Sequence, residues 1–135
     1  MMDLEALRAA LAAQPAAKLA VVFGSAARGR SGPVSDLDLA LRLVPDTVES
    51  RREVVDAARR AVRREIDTVD LDTAPPLLRF QIAREGVVLV EREPRSWARF
   101  KARAMTDWWD WAPTARKIHA AYIRRLREQV AHGGP

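Results

Sequence analysis

Apolar positions along the chain alternate between two periods, one helical and one of strands. Leu4, Leu7 and Leu11 recur at helical spacing, with Asp3 placed as an N-cap and Pro15 ending the helix. Lys18 to Phe23 is a short apolar run, which predicts a buried strand. Asp36 to Leu43 alternates Asp36, Asp38 and Ala40 with Leu37, Leu39 and Leu41, a second strand that Pro45-Asp46 breaks. Val48, Val55, Ala58 and Val62 mark one face of a helix from Thr47 to Arg64, capped by Asp46. Ile66 to Leu71 reads as a third strand. A helix begins around Thr73 to Pro76, turns Leu78 and Ile82 inward and stops at Gly86. Val87 to Val90 is the fourth strand. From Pro94 onward the pattern is helical, with Pro113 as a break or restart. Ser25 to Arg28 opens a short helix between the first two strands, and Ser31-Gly32-Pro33 forms a loop. The class is α/β (α+β): a small mixed sheet with helices packed on it.

The chemistry is concentrated in the segment joining strands one and two. Gly24-Ser25 follows the first apolar run, and a Gly-Ser turn brings backbone N–H groups close to a phosphate. Asp36 and Asp38 point to the same face of their strand, with Cβ atoms roughly 7 Å apart, so their carboxylates can converge on a divalent ion. Ile66-Asp67-Thr68-Val69-Asp70-Leu71-Asp72 offers a third carboxylate from the neighbouring strand. Asp67 and Asp70 are three apart and face opposite sides, so only one of them can enter the site.

This pattern resembles the nucleotidyltransferase superfamily that includes DNA polymerase beta, and within it the minimal nucleotidyltransferases. Gly24-Ser25 is followed by ten residues and then Asp36-Leu37-Asp38, and Arg28, Gly29, Ser35 and Leu39 fit the fuller form of the motif. The resemblance implies a polymerase-beta-like core over residues 1–93 and a helical C-terminal extension over 94–135. It implies transfer of AMP from ATP with Mg²⁺, two ions held by Asp36, Asp38 and Asp67, with Asp67 a better match than Asp70. Gly24, Ser25 and Arg28 then bind the triphosphate. Thr68 departs from the family, which has an apolar residue there.

Composition trims the alternatives. The 135 residues suffice for one domain with a modest core, and there is no cysteine for a disulfide or thiolate metal site. No window approaches the apolar length of a membrane span, and the N-terminus does not read as a signal peptide, so the expectation is a cytoplasmic protein without a membrane partner. The net charge of +5 comes almost wholly from arginine. The arginines do not interleave with aromatics as a stacking platform requires, so nucleic acid is not expected as the main partner. No P-loop or dinucleotide fingerprint is present, and His119 and His132 have no metal-ligand partner at suitable spacing.

All four tryptophans fall between Trp97 and Trp111. Trp97, Phe100, Ala104, Trp108 and Trp111 form one helical stripe, with Trp109 off it, and Ile118, Tyr122 and Leu126 continue a second. Such a stripe either packs on the domain's own sheet or docks a partner. The resemblance favours a partner: short chains of this kind look like the antitoxin half of toxin–antitoxin modules, which transfer AMP to a tyrosine of a helical HEPN-type ribonuclease toxin. Two other readings stay open, an antitoxin that acts by binding alone and a nucleotidyltransferase that modifies a small molecule such as an antibiotic.

Overall fold

A computed structural model describes residues 4–24, 27 and 36–132. The element order is α1 (Leu4–Ala12), β1 (Ala17–Phe23), β2 (Leu37–Leu43), α2 (Val48–Val62), β3 (Ile66–Asp70), α3 (Pro76–Glu85), β4 (Val87–Glu91) and α4 (Ser96–His132). The strands form one mixed sheet in the order β3-β2-β1-β4. β1 runs antiparallel to β2 and β4, and β2 runs parallel to β3.

Side-chain alternation along the strands divides the core in two. Leu37, Leu39, Leu41 and Leu43 of β2, with Ala20 and Val22 of β1, face α1 and α2 and pack with Leu7, Leu11, Val54 and Ala58. Leu19, Val21 and Phe23 of β1 and Ala40 of β2 face the other way, against Ile82 and Ala83 of α3 and Phe100 and Ala104 of α4. On that second side the helices lie on β1 and β4. The α3/α4 side of β2 and β3 therefore has less cover at its Asp38 end.

Several elements differ from the sequence expectation. Thr47, not Asp46, caps α2: its hydroxyl accepts from the Ser50 backbone N–H, and the Ser50 hydroxyl accepts from the Thr47 N–H, both at 3.0 Å. Asp46 instead accepts from Arg51 at 3.1 Å. The buried face of α2 is Ser50, Val54, Ala57 and Ala58, while Val48 is exposed. The reciprocal cap fixes where the helix begins, and the small side chains of Ala57 and Ala58 meet the core. Gly86 does end α3, but with φ −67°, outside the left-handed region. Glycine is required there by space: a Cβ would collide with Val21 and with the Ile82 carbonyl. α4 is one continuous helix through Pro113. The carbonyl that loses its donor to Pro113 belongs to Trp109, an exposed residue, so water can satisfy it. The expected cap at Asp3 and the short helix at 25–28 fall wholly or mostly outside the described residues.

The aromatic stripe of α4 is buried in its first part and exposed further on. Trp97 stacks on Phe100 with ring centroids 5.5 Å apart, and Phe100 and Ala104 are buried in the second core. Trp108 stacks on Phe80 of α3 at 5.5 Å, and Arg79 pairs with Asp107 at 2.9 Å. Trp109, Trp111, Ile118, Tyr122 and Leu126 remain exposed. The start of α4 is fastened by Glu91, whose carboxylate accepts from the Trp97 N–H at 2.8 Å.

Candidate active site

Asp38 and Asp67 are paired neighbours in the parallel register of β2 and β3. Adjacent strands lie about 4.8 Å apart, and paired residues project to the same side, so the two carboxylates stand next to each other. Both strands are held in this register by their leucine- and isoleucine-bearing sides: Leu37 lies opposite Ile66, and both belong to the first core. A slip of one residue would turn Asp38 into that core.

Across β2, Asp38 faces Phe23 in the antiparallel register with β1, and Gly24 follows directly. Gly24 has φ +74°, the left-handed region. A Cβ at this position would overlap Oδ2 of Asp38. The chain therefore turns at the end of β1 with its backbone against the carboxylate, which only glycine allows without displacement. Asp36 lies just before β2 and is exposed. Its parity with Asp38 puts it on the same side at the mouth of the strand.

The electrostatics follow from this crowding. The Asp38 carboxyl is raised above the usual carboxylate range, first by burial and then by the negative charges of Asp67 and Asp36. Neighbouring carboxylates repel one another, and a hard cation with oxygen ligands is the chemical complement of such a set. The donor types fit Mg²⁺. Among the described residues, however, no three His, Cys, Asp or Glu side chains already converge into a metal-holding group. Asp38 and Asp67 are paired in register, and Asp36 lies just before the strand.

Asp70 and Asp72 are occupied elsewhere. Asp70 lies on the opposite side of β3 from Asp67. Its Oδ1 accepts from the backbone N–H groups of Asp72 at 2.7 Å and Thr73 at 3.2 Å, and its Oδ2 lies 3.7 Å from the Arg51 guanidinium of α2. Asp72 accepts two hydrogen bonds from Arg42, at 2.8 and 3.0 Å. These contacts close the turn after β3. Of the site residues read from the sequence, Gly24, Asp36, Asp38 and Asp67 are thus gathered at one end of the sheet. Ser25 and Arg28 lie outside the described residues.

The contact between Gly24 and the Asp38 carboxylate is not visible in a motif, because it depends on the register of β1 on β2. The sequence likewise gives no sign of a cavity of about 410 Å³ lined by Phe80, Arg84, Met105, Trp108, Trp109 and Arg116. It is set between α3 and α4, and none of its lining residues belongs to the strands that carry the aspartates.

Comparison with curated protein sequences finds no significant match. Solved structures do match. One is a chain of a toxin–antitoxin crystal structure with AMP-PNP, 21% identical, with a TM-score of 0.75, covering 90% of this chain and 99% of that one. Another is a chain of a complex of tri-AMPylated HEPN toxin with MNT antitoxin from Shewanella oneidensis, 18% identical, TM-score 0.68, with 90% and 99% covered. A third comes from the MntA-HepT toxin–antitoxin structure, 20% identical, TM-score 0.67, with 89% and 96% covered. At these identities the likeness is one of fold. The family model for polymerase beta nucleotidyltransferases matches residues 5–95, more than half of the chain. With its Gly24 turn and its aspartates at the ends of parallel strands, this chain belongs to the polymerase beta nucleotidyltransferase family.

Proposed function

We propose that the chain is a Mg²⁺-dependent nucleotidyltransferase that moves AMP from ATP to a tyrosine hydroxyl of a cognate HEPN-type toxin, and so acts as its antitoxin. The observation that carries this reading is the in-register pair Asp38 and Asp67 beneath the left-handed turn at Gly24. The nucleotide analogue in one similar structure and the AMPylated HEPN toxin in another supply the choice of nucleotide and acceptor.

In the transfer, the acceptor oxygen forms a bond to the α-phosphorus while the bond to the pyrophosphate oxygen breaks. Mg²⁺, when bound, neutralises charge that builds on the phosphoryl and leaving oxygens. Asp36, Asp38 and Asp67 are the residues that would hold it. Asp67, on the edge strand β3, accepts the proton that leaves the acceptor hydroxyl. Gly24 lets the backbone approach the triphosphate, and Ser25 and Arg28 bind its outer phosphates. Substrate access is from the side of β2 and β3 that α3 and α4 leave less covered.

A second reading rests on the exposed apolar side chains of α4, Trp109, Trp111, Ile118, Tyr122 and Leu126, a surface suited to complex formation. Under it, the chain neutralises its partner by complex formation alone. The two separate in cells that express the partner toxin. Under the catalytic reading, Asp36→Ala plus Asp38→Ala abolishes protection while the complex still forms. Protection that survives the double substitution supports neutralisation by binding.

A further inference from the structure

The second half of α4 has no place in the site just described. Arg116 is the last residue of the helix to share a cavity with α3. From Lys117 to Ala131 every residue except Ala121 and Ile123 is exposed. At 1.5 Å per residue this arm is roughly 24 Å long. Yet it carries Ile118, Tyr122, Leu126 and Val130, spaced four apart, which are 60%, 56%, 39% and 82% exposed. A helix of this length, unsupported by packing, is marginal in water. An apolar stripe on such an arm is stabilised only when something covers it.

The charges say what that something is. Lys117, Arg124, Arg125 and Arg127 stand on the arm against a single carboxylate, Glu128. Among the described residues none of these four cations forms an ion pair with another part of the chain. A second copy laid on the stripe would bring two strongly basic helices together. Nucleic acid would use the cations but not three aliphatic side chains, which offer no stacking surface. An acidic protein surface with an apolar seam satisfies both features at once, and an elongated helical stripe fits the groove of a helical partner.

We propose that the distal half of α4 is a docking helix, on which Ile118, Tyr122, Leu126 and Val130 pack into an acidic groove between helices of a protein partner. This inference rests on the toxin–antitoxin reading for the identity of that partner, a helical HEPN-type protein. It differs from that reading in assigning the contact to a surface remote from the aspartates.

The test measures binding of the purified full chain to the purified product of the adjacent gene, by calorimetry at two salt concentrations. Ile118→Ala plus Tyr122→Ala keeps helix propensity and is expected to weaken binding more than about thirtyfold. Arg124→Glu plus Arg125→Glu is expected to weaken it too, and wild-type affinity is expected to fall with salt. Ala120→Gln, on the far side of the helix, leaves it unchanged. If the Ile118/Tyr122 variant binds as wild type does, the docking helix is wrong and the toxin–antitoxin reading stands. If the wild-type chain does not bind the neighbour at all, both are wrong. Dimerisation of the chain alone that the Ile118/Tyr122 variant abolishes would make the stripe a self-interface and overturn the proposal. Retention of RNA through the arginines, indifferent to Ile118 and Tyr122, would overturn it as well.

Discussion

The backbone of Gly24 lies so close to the carboxylate of Asp38 that a single methyl group on Gly24 would occupy the space of Oδ2. The same glycine has φ +74°, where an L-residue is strained. Gly24→Ala therefore meets two penalties. The left-handed backbone alone costs about 1–2 kcal/mol, and the collision displaces Asp38. The expected result is a destabilised protein with nucleotidyl transfer reduced by more than about 100-fold, since an ångström of misplacement can have that effect. Thermal melts and a transfer assay check it. A variant with normal activity would show that the turn is not part of the site.

Asp38 also holds a charge that the fold resists. Its pKa is raised by burial and by Asp67 and Asp36, so the folded state binds its proton more tightly than the unfolded chain does. Stability from this group is present at low pH and is lost as pH rises from the ordinary value of 3.8 through the raised one. At neutral pH and without divalent cation, Asp38→Asn should melt at a higher temperature than wild type. Solvent screening limits the gain to about 1 kcal/mol. The same variant should lose transfer, and Mg²⁺ with ATP should raise the melting temperature of wild type far more than that of the variant.

Asp67 and Asp70 separate by what each side chain touches. Asp67 stands beside Asp38, whereas Asp70 holds the N–H groups of Asp72 and Thr73. Asp67→Asn should lower the transfer rate by about 1,000-fold or more, the loss of several kcal/mol of charge stabilisation, with little change in melting temperature. Asp70→Asn should leave the chemistry within a few-fold of wild type and cost about 1 kcal/mol of stability. The reverse pattern would reassign the third carboxylate.

The turn after β3 should also set part of the acid sensitivity. Hydrogen bonds from Arg42 hold the Asp72 carboxyl below the usual range. A depressed folded pKa contributes stability that is present above the unfolded value of 3.8 and lost as pH falls below it. Asp72→Asn should lower the melting temperature at neutral pH, by no more than about 1 kcal/mol in stability for so open a pair, and the difference from wild type should vanish in strong acid.

On α4, Phe100 and Trp109 should behave oppositely. Phe100 is 3% exposed and stacked on Trp97, so Phe100→Ala should cost about 3 kcal/mol or more. Trp109 is 74% exposed, so Trp109→Ala should change stability by less than about 0.5 kcal/mol. Denaturant melts of the two variants measure both.

Alternation along β2 was enough to put Asp38 opposite the leucines, and the parity of Asp67 and Asp70 was enough to place them on opposite sides of β3. Such periodic features are local and survive folding unchanged. What the sequence did not disclose depends on tertiary register. Which carboxylate adjoins Asp38 follows from how β3 is laid on β2, and the reason for Gly86 is Val21 on another strand. Local signals competed at α2, where Asp46 and Thr47 are both good caps and Ser50 decided between them by returning the hydrogen bond. Pro113 is compatible with an unbroken helix because the carbonyl it orphans belongs to the exposed Trp109, which sequence alone does not show. The tryptophans could not be divided between core and surface, because α3 covers α4 only along the first part of its length.

The proposed reaction is AMP transfer to a protein. The purified chain, ATP, Mg²⁺ and the product of the adjacent gene should be incubated together and both proteins weighed by intact mass spectrometry. A gain of one or more AMP masses on the neighbour, absent with Asp36→Ala plus Asp38→Ala, is the predicted result. An unmodified neighbour that is nonetheless bound and silenced would contradict it.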